Sequence, residues 1–162
     1  MLLGLLSDTH DRIEAAAAGV AALKTAGAEY LLHCGDVGGE GILDQLTGLP
    51  AGFVWGNNDW DQVTLQRYAA DLGIQCFGAL GELQLGGKAI AIAHGDDGRA
   101  VRRILDGQEH DYLFVGHSHV KADQRVGRVR IVNPGALYRA REKTVATLDT
   151  GTDVLRFITI SV

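Results

Sequence analysis

Seven side chains in this sequence carry nitrogen or oxygen atoms suited to holding metal ions, and each stands just past a short apolar run. Asp8 and His10 follow the run at 2–6, Asp36 follows 30–32, and Asn57 follows 53–55. His94 follows 89–93, and His117 and His119 follow 112–115. Runs of this length, bounded by glycine and polar residues, read as strands. Ligands of open α/β sheets collect at the carboxyl ends of strands, so this placement predicts that the seven side chains meet in space. Asp8 and His10, like His117 and His119, are two residues apart, a spacing that in an extended segment aims both side chains to one side. Imidazole nitrogens combined with carboxylate and amide oxygens favour manganese, iron, nickel, cobalt or zinc over calcium or magnesium. A single buried His or Asp more often satisfies a local hydrogen bond than binds a metal. Seven in one ordered pattern reverse that expectation.

The elements that must position these residues are legible as periodicity. Further strand-like runs fall at 83–85, 129–132, 144–148 and 155–160. A helix is predicted from Asp11, with Glu14 at capping-box spacing, through Ile13, Ala17, Val20 and Leu23 to a stop at Gly27. Shorter helical patterns cover 41–46, 62–72 and 98–105, the last with Val101, Ile104 and Leu105 facing inward. The first two thirds therefore read as alternating strands and helices, and the remainder as hairpins turning near Gly127 and near 150–152. This predicts an α/β domain with two packed mixed sheets between helical layers.

Composition excludes several classes. The length of 162 residues suits a single domain, and 46% hydrophobic with 22% charged residues is ordinary for a folded chain rather than a disordered one. No apolar run reaches the roughly 20 residues that cross a bilayer, and the start of the chain lacks the basic region of a secretory signal, so a cytoplasmic location is expected. A formal net charge of −5 argues against an extended nucleic-acid surface, so phosphate would have to be held locally. Cys34 and Cys76 lack metal-knuckle spacing and read as reduced core residues.

The order D-x-H (Asp8, His10), G-D (Gly35, Asp36), G-N-x-D (Gly56, Asn57, Asp59), H-G (His94, Gly95) and G-H-x-H (Gly116, His117, His119) resembles the calcineurin-like metallophosphoesterase superfamily. It is most similar to that superfamily's small bacterial and archaeal phosphodiesterases, and Asn133–Pro134–Gly135 extends the resemblance over most of the chain. The resemblance implies a four-layer αββα sandwich. It also implies that Asp8, His10 and His119 hold one metal, that Asn57, His94 and His117 hold another, and that Asp36 bridges the two. The cofactors implied are two divalent transition-metal ions, manganese foremost, with nickel, iron, cobalt or zinc as alternatives. Such ions, set against two carboxylates and a hydroxide, leave about one net positive charge to attract a phosphoester. The expected reaction is in-line attack by activated hydroxide on phosphorus, with the ions roughly 3.5–4 Å apart.

Two departures bear on the substrate. Many members have His after the metal-binding Asn, and here that position is Asn58, an amide that can hydrogen-bond a phosphate oxygen but cannot donate a proton as an acid near neutral pH. The preference expected is therefore for a small phosphodiester over alkyl monoesters, with Asn58 and Asp59 as candidate catalytic residues and Asn58 and Arg141 as candidate substrate contacts. Near the end, Ala136 and Ala140 replace the family's Ser and Pro. The competing readings are a phosphomonoesterase, a nuclease, and a non-catalytic interaction scaffold of the same fold. A homo-oligomer is compatible with any of these. Of the remaining polar and aromatic residues, Asp11 reads as a helix cap, His33 as a core residue near the site and His110 as solvated. Trp55 and Trp60 read as packing residues, and Arg99, Arg102 and Arg103 as a solvated helix face.

Overall fold

The computed structural model describes residues 1–162. Along the chain, β1 (Leu2–Leu6), α1 (Ile13–Thr25), β2 (Tyr30–His33), α2 (Glu40–Gln45), β3 (Ala51–Phe53), α3 (Gln62–Asp71) and β4 (Gln75–Cys76) alternate. Then come β5 (Leu80–Leu85), β6 (Lys88–Ala93), α4 (Gly98–Gly107), β7 (Tyr112–Phe114), β8 (Ala122–Val126), β9 (Val129–Asn133), β10 (Thr144–Asp149) and β11 (Val154–Thr159). One sheet has the order β11-β10-β1-β2-β3-β4 and the other β5-β6-β7-β9-β8. In the first, β1 to β4 run parallel, while β10 lies antiparallel to β1 and to β11. In the second, β6, β7 and β9 run parallel between antiparallel edges β5 and β8.

Three apolar clusters mark three interfaces between four layers. Val20 and Leu23 of α1, Ile42 and Leu43 of α2 and Leu65 of α3 pack on Leu31, Phe53 and Val145 of the first sheet. Leu3, Leu5, Leu32, Ile90, Ile92, Phe114, Val132 and Leu148 join the two sheets. Ile104 of α4 packs on Ala91, Leu113 and Val129 at the far face of the second sheet. The period-two rule explains the division: Leu3 and Leu5 of β1 face the other sheet, and Leu6 faces the helices. Each fully buried Leu or Phe contributes about 1.5–3 kcal/mol of transfer free energy, so packing on both faces of the first sheet holds the strand ends that carry the site.

Most sequence expectations hold to within two residues, and the exceptions have physical causes. Asp11 does not cap α1: the residue before the helix is Arg12, and no side chain there accepts a capping bond. Asp11 instead has φ 62° and donates its N–H to the Val37 carbonyl at 3.2 Å, which ties it to the neighbouring loop. The third strand ends at Phe53 rather than Trp55, and the two-residue β4 was not anticipated. His110 is buried, not solvated, with Nε2 3.2 Å from Glu82 Oε2. Trp55 packs edge-on against Phe53, whereas Trp60 is 84% exposed and does not pack. No helix is long and apolar enough to cross a membrane.

Candidate metal centre

The two sheets align the carboxyl ends of β1, β2, β3, β6 and β7 along one edge, and the loops that follow are stitched together by main-chain bonds. Asp8 N–H donates to the Gly35 carbonyl at 3.1 Å and His10 N–H to the Asp36 carbonyl at 3.0 Å, which locks the loop after β1 onto the loop after β2. Gly116 N–H donates to the His94 carbonyl at 2.8 Å, doing the same for β6 and β7.

The local conformation is not the extended one expected for the D-x-H and H-x-H pairs. Asp8, His10, Asp36, His117 and His119 all have positive φ, between 43° and 66°. Left-handed backbone costs free energy in residues other than glycine and persists only where surrounding contacts over-determine it. The convergence arises from these turns rather than from strand alternation.

Five of the seven anticipated side chains meet. His119 Nε2 lies 3.2 Å from Asp8 Oδ1, and His10 Nε2 lies 3.9 Å from the same atom and 3.3 Å from Asp36 Oδ2. His94 Nε2 lies 3.2 Å from Asp36 Oδ2 and 3.9 Å from Asp8 Oδ1. Two ligand-like groups result: Asp8 with His10 and His119, and Asp8 with Asp36 and His94. The first matches the set implied for one metal. In the second, Asp8 stands where the resemblance implies Asn57 and His117. His117 is exposed and lies edge-on to His94 with ring centroids 5.1 Å apart, and Asn57 is exposed at the rim.

The orientations are those of a cation site. Asp8 Oδ1, His10 Nε2 and His94 Nε2 are buried and have no hydrogen-bond partner. Asp8 Oδ2, by contrast, accepts from Ser7 Oγ at 2.7 Å and from His117 N–H at 3.1 Å, so only Oδ1 is turned inward. His94 Nδ1–H donates to the Cys34 carbonyl at 2.8 Å, which in the neutral ring leaves Nε2 as the acceptor atom facing the two carboxylates. Buried polar atoms left unpaired in one place are costly unless a ligand satisfies them, and divalent metal ions fit this donor set.

The electrostatics agree. Without a cation at the centre, the His94 imidazole is pushed up to about 9: burial opposes its charge, but Asp36, the Cys34 carbonyl and Asp8 outweigh burial. Asp36 is held below the usual carboxylate range, because contacts from His94 and Asn58 overcome the penalty of burial. Burial lowers His10 despite the Asp36 and Asp8 charges nearby.

Asn58 and Asp59 act on the loops. Asn58 donates its N–H to Asp36 Oδ1 and its Nδ2 to Asp36 Oδ2, both at 2.9 Å. Buried Asp59 accepts from Gly38 N–H at 3.0 Å and from Gly56 N–H at 2.8 Å, joining the loops after β2 and β3. The Asn133 of the N-P-G segment donates Nδ2 to the Gly116 carbonyl at 2.8 Å and so steadies the loop bearing His117 and His119. Arg141 is exposed and forms no ion pair.

His33, expected as a core residue near the site, reaches the centre, as do Thr9 and Tyr138, which carry no sequence signal. Thr9 Oγ1 donates to the Val37 carbonyl at 2.8 Å and lies 2.9 Å from His33 Nε2, while His33 Nδ1 accepts from Gly35 N–H at 3.2 Å. Burial holds His33 down to about 3, so its ring is neutral, with Nε2 carrying the proton given to Thr9. Tyr138, from the loop after β9, sets its ring 5.0 Å from that of His10.

Residues 1–153 match the calcineurin-like phosphoesterase superfamily domain. The chain belongs to that superfamily. It is 24% identical over 155 residues to Phosphodiesterase MJ0936 of Methanocaldococcus jannaschii, with 93% of each chain covered. A solved structure described as a novel archaeal phosphodiesterase superposes with TM-score 0.91 at 23% identity, covering 99% of this chain and 100% of the other. Yfce, a phosphoesterase from E. coli, superposes with TM-score 0.68 at 17% identity, covering 99% and 100%. These superpositions agree with the two mixed sheets and outer helical layers, and the superfamily is one of phosphoester hydrolases.

Proposed function

We propose that this chain is a phosphodiesterase working through two divalent metal ions, with Asp8, His10 and His119 holding one, Asn57, His94 and His117 the other, and Asp36 between them. The observation that carries the reading is the convergence of Asp8 Oδ1, His10 Nε2 and His94 Nε2, three buried atoms with no partner, around the Asp36 carboxylate. When bound, the ions, manganese foremost, would supply charge neutralisation at phosphorus and an activated water. Asn57 and His117 are exposed, and the His117 ring already stands edge-on to His94 with centroids 5.1 Å apart.

The chain's own residues then orient the reaction. Asn58 holds both Asp36 oxygens and, at the exposed rim, presents its amide to a non-bridging phosphate oxygen. An amide stabilises the phosphate without protonating the departing alcohol, so esters with good leaving groups turn over best. Asp59 fixes the distance between the Asp36 and Asn57 loops, acting on catalysis through position. Arg141, exposed and without a carboxylate partner, remains available to a substrate oxygen.

The test is assay of metal-stripped protein on bis(p-nitrophenyl) phosphate with manganese, nickel, cobalt or zinc added back, together with anomalous scattering from a manganese-soaked crystal. Two ions per chain and metal-dependent release of nitrophenol are expected. Neither ion binding nor turnover with any of these metals would overturn the proposal and favour the scaffold reading.

A further inference from the structure

A cleft of about 470 Å³ adjoins the metal centre, lined by Arg12, Ile13, Leu137, Tyr138 and Lys143, with Asp11 and Glu14 at its acidic side. Tyr138 is its wall toward the centre, because the same ring touches His10. Two guanidiniums gather on that ring: Arg12 Cζ stands 4.6 Å from its centroid and Arg139 Cζ 5.1 Å. Neither forms an ion pair, although Asp11 and Glu14 are close by, whereas Arg103 of α4 and Arg125, Arg128 and Arg130 of the β8–β9 hairpin are all paired with carboxylates. Arg139 reaches the ring from a left-handed residue, φ 46°, an unfavourable conformation for a side chain of its kind. Arg12 lines the cleft and exposed Arg139 stands at its margin, so one ring carries two cations without a carboxylate partner, and an anion reaching both would offset their mutual repulsion.

We infer that Arg12 and Arg139, set on Tyr138, form an anion subsite that selects phosphodiesters carrying a second phosphate on the group next to the scissile one. This rests on the phosphodiesterase reading and deepens it. The cleft volume lies in the range of small-molecule sites, and guanidinium forks match phosphate oxygens two at a time. Apolar Ile13, half exposed beside Arg12, would cover the sugar or carbon skeleton between the two phosphates.

The experiment compares two chromogenic substrates under manganese: the p-nitrophenyl ester of thymidylic acid, and the same ester with a second phosphate on the free sugar hydroxyl. The leaving group is identical, so the ratio of kcat/KM reads the added phosphate alone. Wild type should favour the doubly phosphorylated ester about tenfold, mainly through KM, and Arg12→Ala or Arg139→Ala should each reduce that ratio by about threefold or more. A wild-type ratio at or below one, or a preference untouched by both substitutions, would overturn the subsite while leaving the hydrolase intact. If neither ester turns over, the phosphodiesterase reading fails. Calorimetry of metal-free protein with thymidine bisphosphate and thymidine monophosphate then decides the subsite: tighter bisphosphate binding that Arg12→Ala/Arg139→Ala abolishes supports it, and equal binding overturns it.

Discussion

Asn58 holds Asp36 at both carboxylate oxygens, its main-chain N–H on Oδ1 and its side-chain amide on Oδ2, each at 2.9 Å. The residue after the candidate ligand Asn57 thus serves the central carboxylate. An imidazole at this position would keep the main-chain bond, give up the Nδ2 bond and add a group that titrates near neutral pH. Asn58→His should therefore raise kcat on alkyl phosphate esters by about tenfold or more, with a smaller change on p-nitrophenyl esters, whose leaving groups need no proton. Parallel steady-state assays on the two ester classes measure this, and equal changes on both would remove the link between Asn58 and leaving-group choice.

At Gly56 the centre admits no extra atom. A Cβ there would strike the Asp36 main-chain nitrogen and its carboxylate, with Cγ at 2.8 Å. Gly56→Ala must displace the carboxylate that faces both His10 and His94, so metal-supported turnover should fall by about ten- to a hundredfold. The metal-free protein should lose about 1–3 kcal/mol, the usual cost of overpacking a buried position. Urea unfolding and manganese titration are the paired measurements. An unchanged metal affinity would place Asp36 outside the ion-binding set.

Much of this arrangement was legible because strand ends are simple to read. An apolar run followed at once by Asp or His marks both the strand and the turn, and parallel order then brings successive turns to one edge. That is why Asp8, Asp36 and His94, distant in sequence, lie together in the structure. Legibility stops where long-range contacts decide. Asp11 looks like a cap, but its N–H is drawn to Val37 across the loop. His110 looks solvated until α4 and β5 bring Glu82 to it. Tyr138, Arg12 and Arg139 have no periodic signal, since they meet only through an irregular loop folded back onto the start of α1.

Asp59 tests whether the loops or the ligands carry activity. Its two oxygens accept one main-chain N–H each, from Gly38 and Gly56, and both bonds are lost to water when it is removed. Asp59→Asn keeps the shape but replaces one acceptor with a donor facing an N–H, which should cost about 1–3 kcal/mol of stability. Manganese affinity should weaken along with stability, because the Asp36 and Asn57 loops lose their link. Unfolding in urea with and without manganese separates the two effects. A variant of wild-type stability and lowered kcat would instead make Asp59 a direct participant in the reaction.

His33 supplies a pH signature that belongs to the metal-free protein. Its ring is fully buried, accepts from Gly35 N–H through Nδ1 and gives its single proton to Thr9, so a second proton has no acceptor. Burial accordingly lowers it from 6.5 to about 3 in the folded chain. Between those values the unfolded chain binds a proton that the folded chain does not, so stability declines as pH falls through this window and rises as pH increases. One proton corresponds to a limiting slope of about 1.4 kcal/mol per pH unit. His33→Gln removes that slope while other titrating groups cancel in the comparison. The stability difference between wild type and variant, measured by urea unfolding in chelator from about pH 6.5 down to about pH 4, should therefore shift against the wild type as the solution is acidified. Parallel curves would mean that His33 takes up its proton within the folded protein, and the Gly35 and Thr9 contacts would then have to be reassigned.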